Sequence, residues 1–186
     1  MLLAKMQTYV NILALIVEIV YHLYVMNRIY DKRVRKFLHG EWAILGIGNT
    51  LRADDSFGAI LAKELKTKLH GKPVSNRIFH AGISPENFVG KLAKMHIDKL
   101  LIFDAVIFNG SPGEIKLFTP DELSAPFALS HGPSNFKMIK LILPDADILI
   151  LAVQPKSTKF GAKISTEVDT VIDNLTSYFL KILDDV

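Results

Sequence analysis

The sequence predicts an α/β domain with a mainly parallel sheet covered by helices on both faces. Three observations predict it. From Trp42 onward, strand-like and helix-like patterns alternate in the order β-α-β-α-β-β-α-β-α. Two apolar runs, Lys99–Phe103 and Asp147–Val153, lack polar alternation, as strands covered on both faces do. Glu114–Phe118 does alternate, as Glu-Ile-Lys-Leu-Phe, which fits a half-exposed edge strand.

Composition bounds the class. A chain of 186 residues suits one domain with a sizeable core. Hydrophobic content of 49% with 22% charged residues is globular rather than disordered. The net charge of +3 is mild, with one basic cluster at Lys32-Arg33-Val34-Arg35-Lys36. No stripe of interleaved basic and aromatic residues suggests nucleic acid, so no nucleic-acid partner is expected. The absence of cysteine removes disulfides, thiolate nucleophiles and thiolate metal ligands together. It fits a reducing compartment, and a cytoplasmic location is the expectation.

Residues 1–40 read as an N-terminal extension with an apolar helix, and 41–186 as the α/β domain. Val10–Met26 is almost wholly apolar, but Asn11, Glu18 and His22 fall on one narrow helical stripe. A membrane span needs about 20 clean apolar residues, and this run is shorter and interrupted. Three readings fit it. It packs on the domain or on a partner, it precedes a true start at Met26, or it contacts a membrane through residues 10–26, which is the least favoured. The basic cluster after it would keep the remainder in the cytoplasm were it inserted. No small-residue cleavage site marks a secretory signal.

Beyond the extension, Trp42–Ile47 is a short apolar strand. Phe57–Leu69 carries apolar residues at Phe57, Ile60, Leu61, Leu65 and Leu69, the face of a helix, and His70-Gly71-Lys72-Pro73 stops it. Val74–His80 reads as a second strand. Ser84 is placed to cap a helix with Pro85 at its first position, running to about Met95. Lys99–Phe103 is a buried strand ending on Asp104. After the Asn109–Gly113 turn and the edge strand, residues 119–131 read as a loop and Asn135–Leu143 as a helix. Asp147–Val153 is closed by Gln154-Pro155. Ser165 to about Leu183 is a long helix with apolar Val168, Val171, Ile172, Leu175, Phe179 and Leu183.

The chain is organised around Gly46-Ile47-Gly48-Asn49-Thr50-Leu51-Arg52-Ala53-Asp54-Asp55-Ser56-Phe57-Gly58. A glycine turn between a strand and a helix ordinarily welcomes phosphate. Here two carboxylates stand in that place and would repel it, so the turn suits a cation. Residues past the carboxyl ends of parallel strands gather at one edge. That edge would collect Asp54 and Asp55, then Asp104, then His131. Two carboxylates and an imidazole form an open site suited to Zn, Ni, Mn or Fe. Each residue also has a plainer use. Asp55 would cap the helix or meet its dipole, Asp104 would cap a turn, and His131 would be a solvated loop side chain. Ser56 with His131 and Asp104 would make a triad. No His-Glu-x-x-His helix and no Gly-x-Ser-x-Gly elbow is present, and the dinucleotide fingerprint lacks its third glycine.

The motif Gly46-x-Gly48-Asn49-x-Leu51-x-x-Asp54-Asp55-x-x-Gly58 resembles the opening of the hydrogenase maturation endopeptidases, the nickel-dependent processing proteases of NiFe hydrogenase large subunits. The resemblance continues at Gly82-Ile83-Ser84-Pro85-Glu86-Asn87, Phe103-Asp104-Ala105, Pro112-Gly113-Glu114-Ile115, Ser130-His131 and Gln154-Pro155. Ser56 departs from it, since glycine usually follows the acid pair, and so does Gly132-Pro133-Ser134-Asn135. The resemblance implies a three-layer α/β/α domain with a twisted, mostly parallel five-stranded sheet and one antiparallel edge strand. It implies an endopeptidase that removes the C-terminal extension of a hydrogenase large-subunit precursor after nickel insertion. A non-catalytic metallochaperone or assembly factor is the alternative. It implies Asp55, Asp104 and His131 as metal ligands and catalytic residues. Gly48, Asn49 and Asp54 would serve as turn and substrate contacts. Nickel would come with the precursor, and zinc or cadmium would substitute at the site.

Overall fold

Strand β1 (Trp42–Ile47) is buried at every position, and the sheet grows from it on both sides. The computed structural model describes residues 31–123, 128–129 and 139–183. Strand β2 (Ile78–Gly82) pairs parallel with one edge of β1, and β3 (Lys99–Ile107) pairs parallel with the other. Beyond the two-residue β5 (Ala128–Leu129), β6 (Asp147–Val153) lies parallel to β3, and β4 (Ile115–Phe118) lies antiparallel to β6. The order is β2-β1-β3-β6-β4, the expected five strands with one antiparallel edge strand.

Helices α1 (Phe57–Lys68), α2 (Glu86–Lys94) and α3 (Thr166–Leu183) cover the sheet. Strand side chains alternate between faces, so β1 supplies both layers. Ala43, Leu45 and Ile47 join Leu100 and Ile102 of β3, Val89 and Leu92 of α2, and Ile139 in one core. Gly46 faces α1 on the other side, where Phe103 of β3 meets Phe179 of α3 with ring centroids 5.1 Å apart. Residues 139–142 are helical, within the expected helix.

The closest packing is between backbones. A Cβ at Gly46 would collide with the Gly58 carbonyl and with Ala62 Cβ, and one at Gly58 would collide with the Phe103 and Ile47 carbonyls. The first turn of α1 therefore rests directly on the ends of β1 and β3, which no side chain larger than hydrogen permits.

Four local expectations are corrected. The second strand is Ile78–Gly82, not Val74–His80, because Pro73–Arg77 forms a 3₁₀ turn. Pro73 fixes its own φ, and the Ser75 N–H is spent on the Lys72 carbonyl at 3.1 Å. Helix α2 starts at Glu86 with Pro85 in the cap position and no side-chain cap bond. The Ser84 carbonyl, not its hydroxyl, meets the Asn87 N–H at 3.2 Å. Strand β3 runs on to Ile107, since β6 pairs with it through Ala105 and β5 pairs with Val106 and Ile107. Asp104 thus lies within a strand rather than past its end. Finally, residues 119–131 are not all loop: Asp121–Leu123 is a 3₁₀ turn and Ala128–Leu129 is β5.

Met1–Phe37 and Leu38–Val186 form separate compact units. In the first, residues 31–37 are helical, with an Arg35–Asp31 ion pair one turn apart at 2.6 Å. The apolar helix expected over Val10–Met26 lies outside the described residues. Among the described residues, no helix is long and apolar enough to cross a membrane.

Two predictions test this frame. Gly58→Ala should destabilise by about 1–3 kcal/mol, because its methyl meets main-chain carbonyls that cannot swing aside. The midpoint of urea unfolding reports this, and an unchanged midpoint would contradict the packing. His80 on edge strand β2 is held below its ordinary value of 6.5, first by desolvation and second by Lys63. The unfolded chain then binds more protons as pH falls below about 6.5, so His80 contributes a loss of stability that begins there and continues to its folded pKa. His80→Asn should flatten this acid-side decline, measured by thermal unfolding between pH 7 and 5, and leave stability near pH 8 unchanged.

Candidate active site

The chain leaves β1 to one side to form β2 and returns on the other side to form β3. This reversal opens a crevice outside the carboxyl ends of β1 and β3, where ligands bind in sheets of this kind. The sequence places its acids there. Asp54 and Asp55 lie on a 3₁₀ turn (Ala53–Ser56) between β1 and α1, and Asp104 lies on β3. All three are buried, at 0%, 1% and 0% exposure, which is rare for carboxylates without a specific purpose. Asp55 stands three residues before Gly58, and Asp104 follows Phe103, whose carbonyl Gly58 touches. The glycine contact therefore brings Asp55 and Asp104 to the same sheet edge.

The turn itself is a closed set of main-chain bonds. The Asn49 N–H reaches the Asp55 carbonyl at 3.0 Å, Arg52 N–H the Asn49 carbonyl at 2.9 Å, and Asp55 N–H the Arg52 carbonyl at 3.0 Å. The Asn49 side chain accepts the Leu51 N–H at 3.0 Å, an Asx turn. Gly48 donates to the Gly82 carbonyl at 2.9 Å, tying the turn to the end of β2. A Cβ on Gly48 would strike the Asp55 carbonyl.

Asp54 has a different task from Asp55. One carboxylate oxygen accepts N–H bonds from Lys156 at 2.8 Å and Ser157 at 3.0 Å, and the Ser165 hydroxyl at 2.9 Å. The other accepts the Ser165 N–H at 2.6 Å. The Asp54 N–H also donates to the Ser157 carbonyl at 3.0 Å. Asp54 thus holds both stems of the loop between β6 and α3. Charge-assisted bonds of this kind contribute about 1.5–3 kcal/mol each when buried.

The structure bears on two of the plainer uses, a helix cap at Asp55 and a turn cap at Asp104. The residue before α1 is Ser56, whose hydroxyl donates to the Ala53 carbonyl at 2.5 Å and makes no cap bond. Its hydroxyl is buried and already engaged, which argues against a nucleophile. Asp104 does not cap a turn, because its own residue is paired with Ala152 across the sheet and its Oδ1 accepts the Ala105 N–H at 2.8 Å. His131 lies outside the described residues. Among the described residues, no three His, Cys, Asp or Glu side chains cluster as a metal site. Asp55 and Asp104 supply two hard oxygen donors, an incomplete set that suits a divalent cation with a further ligand.

Two contributors carried little signal in the sequence. Gln154 Oε1 accepts from Phe108 N–H at 2.8 Å and Gly110 N–H at 3.2 Å, fixing the loop after β3, while its Nε2 donates to the Pro155 carbonyl. The Gln154-Pro155 motif closing an apolar strand marked the residue but not these bonds. Ser165 was visible only as a helix start, and its bonds to Asp54 span 111 positions.

A family model described as hydrogenase maturation protease matches residues 60–182. The chain belongs to the hydrogenase maturation protease family. It is 27% identical over 141 residues to the hydrogenase 3 maturation protease of Escherichia coli K12, covering 73% of this chain and 88% of that protein. It is 29% identical over 151 residues to a putative hydrogenase maturation protease of Methanocaldococcus jannaschii, covering 77% and 88%. The crystal structure of the NiFe hydrogenase maturation protease HycI from Thermococcus kodakarensis KOD1 superposes with a TM-score of 0.66 at 28% identity, over 81% of this chain and 98% of that one. The matched family span contains Asp104 and begins two residues past Gly58, so the acid pair of this protease stands on its own geometry.

Asp54→Asn would leave one carboxamide NH₂ facing main-chain donors. A loss on the order of 2–4 kcal/mol is expected, against about 1 kcal/mol for Ser165→Ala, which deletes a single hydroxyl. Chemical denaturation of both variants checks the ratio, and near-equal losses would contradict the clasp.

Proposed function

We propose that this protease is an endopeptidase that removes the C-terminal extension of a hydrogenase large-subunit precursor after nickel has been inserted. The observation that carries the reading is the pair of buried carboxylates, Asp55 and Asp104, at the switch-point crevice of a family member. The resemblance at Ser130-His131 supports His131 as the third ligand. The nickel belongs to the substrate, and the pair recognises it there with oxygen donors, His131 adding a nitrogen. Zinc or cadmium would fit the same donors.

Such a metal supplies Lewis acidity, polarising the scissile carbonyl or lowering the pKa of a water. The residues of this chain do the rest. Asp104, fixed within a strand and braced by the Ala105 N–H, holds one side of the site. Asp55, set by the closed turn, holds the other, or takes a proton from the attacking water as general base. A site that draws its metal from the precursor also enforces order, since an unloaded precursor completes no ligand set.

The test is mass spectrometry of nickel-loaded and nickel-free precursor after incubation with the enzyme. Loss of a C-terminal peptide from the loaded form alone is expected. An unchanged mass in both would favour a metallochaperone. Asp55→Asn and His131→Ala should each lower the processing rate by about 100-fold or more while melting as the wild type does. Full activity in both variants would remove the site assignment.

A further inference from the structure

Single exposed apolar side chains are ordinary, but several on one edge are not. Among the described residues, six large apolar side chains are exposed, and four of them stand at the carboxyl end of the sheet. Leu51 is 60% exposed on the loop after β1, Ile83 61% after β2, and Phe160 66% after β6. Ile107, at the end of β3, is the fourth.

Their loops are tied to one another. The Gly161 N–H donates to the Leu51 carbonyl at 2.8 Å, setting the residue beside Phe160 against Leu51. The Gly48 N–H donates to the Gly82 carbonyl at 2.9 Å, setting the residue beside Ile83 against the turn that carries Asp55. Both stems of the Phe160 loop hang on Asp54. Phe160 is therefore held out in solvent by a fixed loop, and a fixed exposed phenyl ring is costly unless something covers it.

Charge identifies what covers it. Arg52, Lys159 and Lys163 are exposed on the same two loops, and Lys156 is paired with Glu167 at 2.6 Å. Neither 49–52 nor 156–165 contains an acidic residue, and the exposed Glu86 stands beyond Ile83 at the start of α2. We infer that Leu51, Ile83 and Phe160, rimmed by Arg52, Lys159 and Lys163, dock the protein substrate through a segment bearing apolar side chains flanked by carboxylates. A second copy of this chain fits poorly, because a two-fold contact would set this cationic rim against itself. An anionic lipid surface would match the charge but would lay the Asp55–Asp104 crevice against lipid rather than peptide. The inference rests on the peptidase reading and assigns its recognition surface. Apolar anchors set the lifetime of such a complex, and rim charges set its on-rate and salt dependence.

The experiment compares wild type with the Leu51→Asp/Phe160→Asp and Lys159→Glu/Lys163→Glu double variants, using nickel-loaded precursor. All four positions are exposed, and thermal unfolding confirms that the variants remain folded. The first variant should raise KM about tenfold or more with kcat within about twofold. The second should raise KM at low salt, with the difference vanishing near 1 M salt. An unchanged KM in both would overturn the inference. So would a dimer in sedimentation velocity that the first variant abolishes, or phosphatidylserine-vesicle binding that it abolishes while KM stays put. Should wild type cut nothing, the peptidase reading falls separately. Precursor binding in the same samples then decides the surface: affinity weakened about tenfold in the first variant supports it, and equal affinity overturns it.

Discussion

The carboxylate of Asp54 is the interaction on which the rest of the candidate site's edge depends. It is fully buried, and it accepts four bonds from residues over 100 positions later in the chain. A buried charge is tolerable only when its lone pairs are filled, and here main-chain N–H groups of one loop and the start of α3 fill them. The same bonds do a second thing. They satisfy donors that an irregular loop would otherwise leave to solvent, so the loop gains one shape. Ser165 stands just before α3, and its hydroxyl also reaches the Val168 N–H at 3.4 Å, so the helix start and the acid clasp share a residue.

Glycine plays the complementary part on the opposite side of the turn. Gly46 and Gly58 remove the side chains that would otherwise keep α1 off the sheet. An ordinary helix–sheet layer leaves room for side chains between backbones. Here the first turn of α1 touches the carbonyls of Ile47 and Phe103, so what precedes it must lie at the sheet edge itself. The position of Asp55 thus follows from two missing methyl groups as much as from its own bonding.

Much of this was legible in the sequence, for physical reasons. Trp42–Ile47 and Asp147–Val153 read correctly because continuous apolar runs of strand length have few alternatives once helices flank them. Glu114–Phe118 read correctly because an edge strand must alternate. The failures have two causes: long-range pairing sets some boundaries, and local main-chain bonds set others. Asp104 looked like the end of β3, since a charge after an apolar run usually marks exit to solvent. The strand continues because β6 and β5 flank it, which no local pattern announces. Val74–Arg77 had strand-like composition, but Pro73 and a local serine bond took its N–H groups first. The Asp54 clasp was invisible because its partners are main-chain N–H groups, which every residue but proline carries. The acids themselves stood out only because carboxylates in a glycine turn contradict the usual phosphate chemistry there.

That two adjacent aspartates should divide their labour follows from the turn they occupy. In a 3₁₀ helix there are three residues per turn, so neighbours point about 120° apart. Asp54 and Asp55 cannot both address the same site from Ala53–Ser56. The bonds to Lys156, Ser157 and Ser165 turn Asp54 toward the loop between β6 and α3, which leaves Asp55 a different direction. A regular α-helix would separate them by about 100° with a shorter rise, and a strand would oppose them across the sheet. The tight turn gives each carboxylate its own direction within one residue of chain. It lets the acid that holds the loop sit beside a second buried acid, so that displacing one must displace the other.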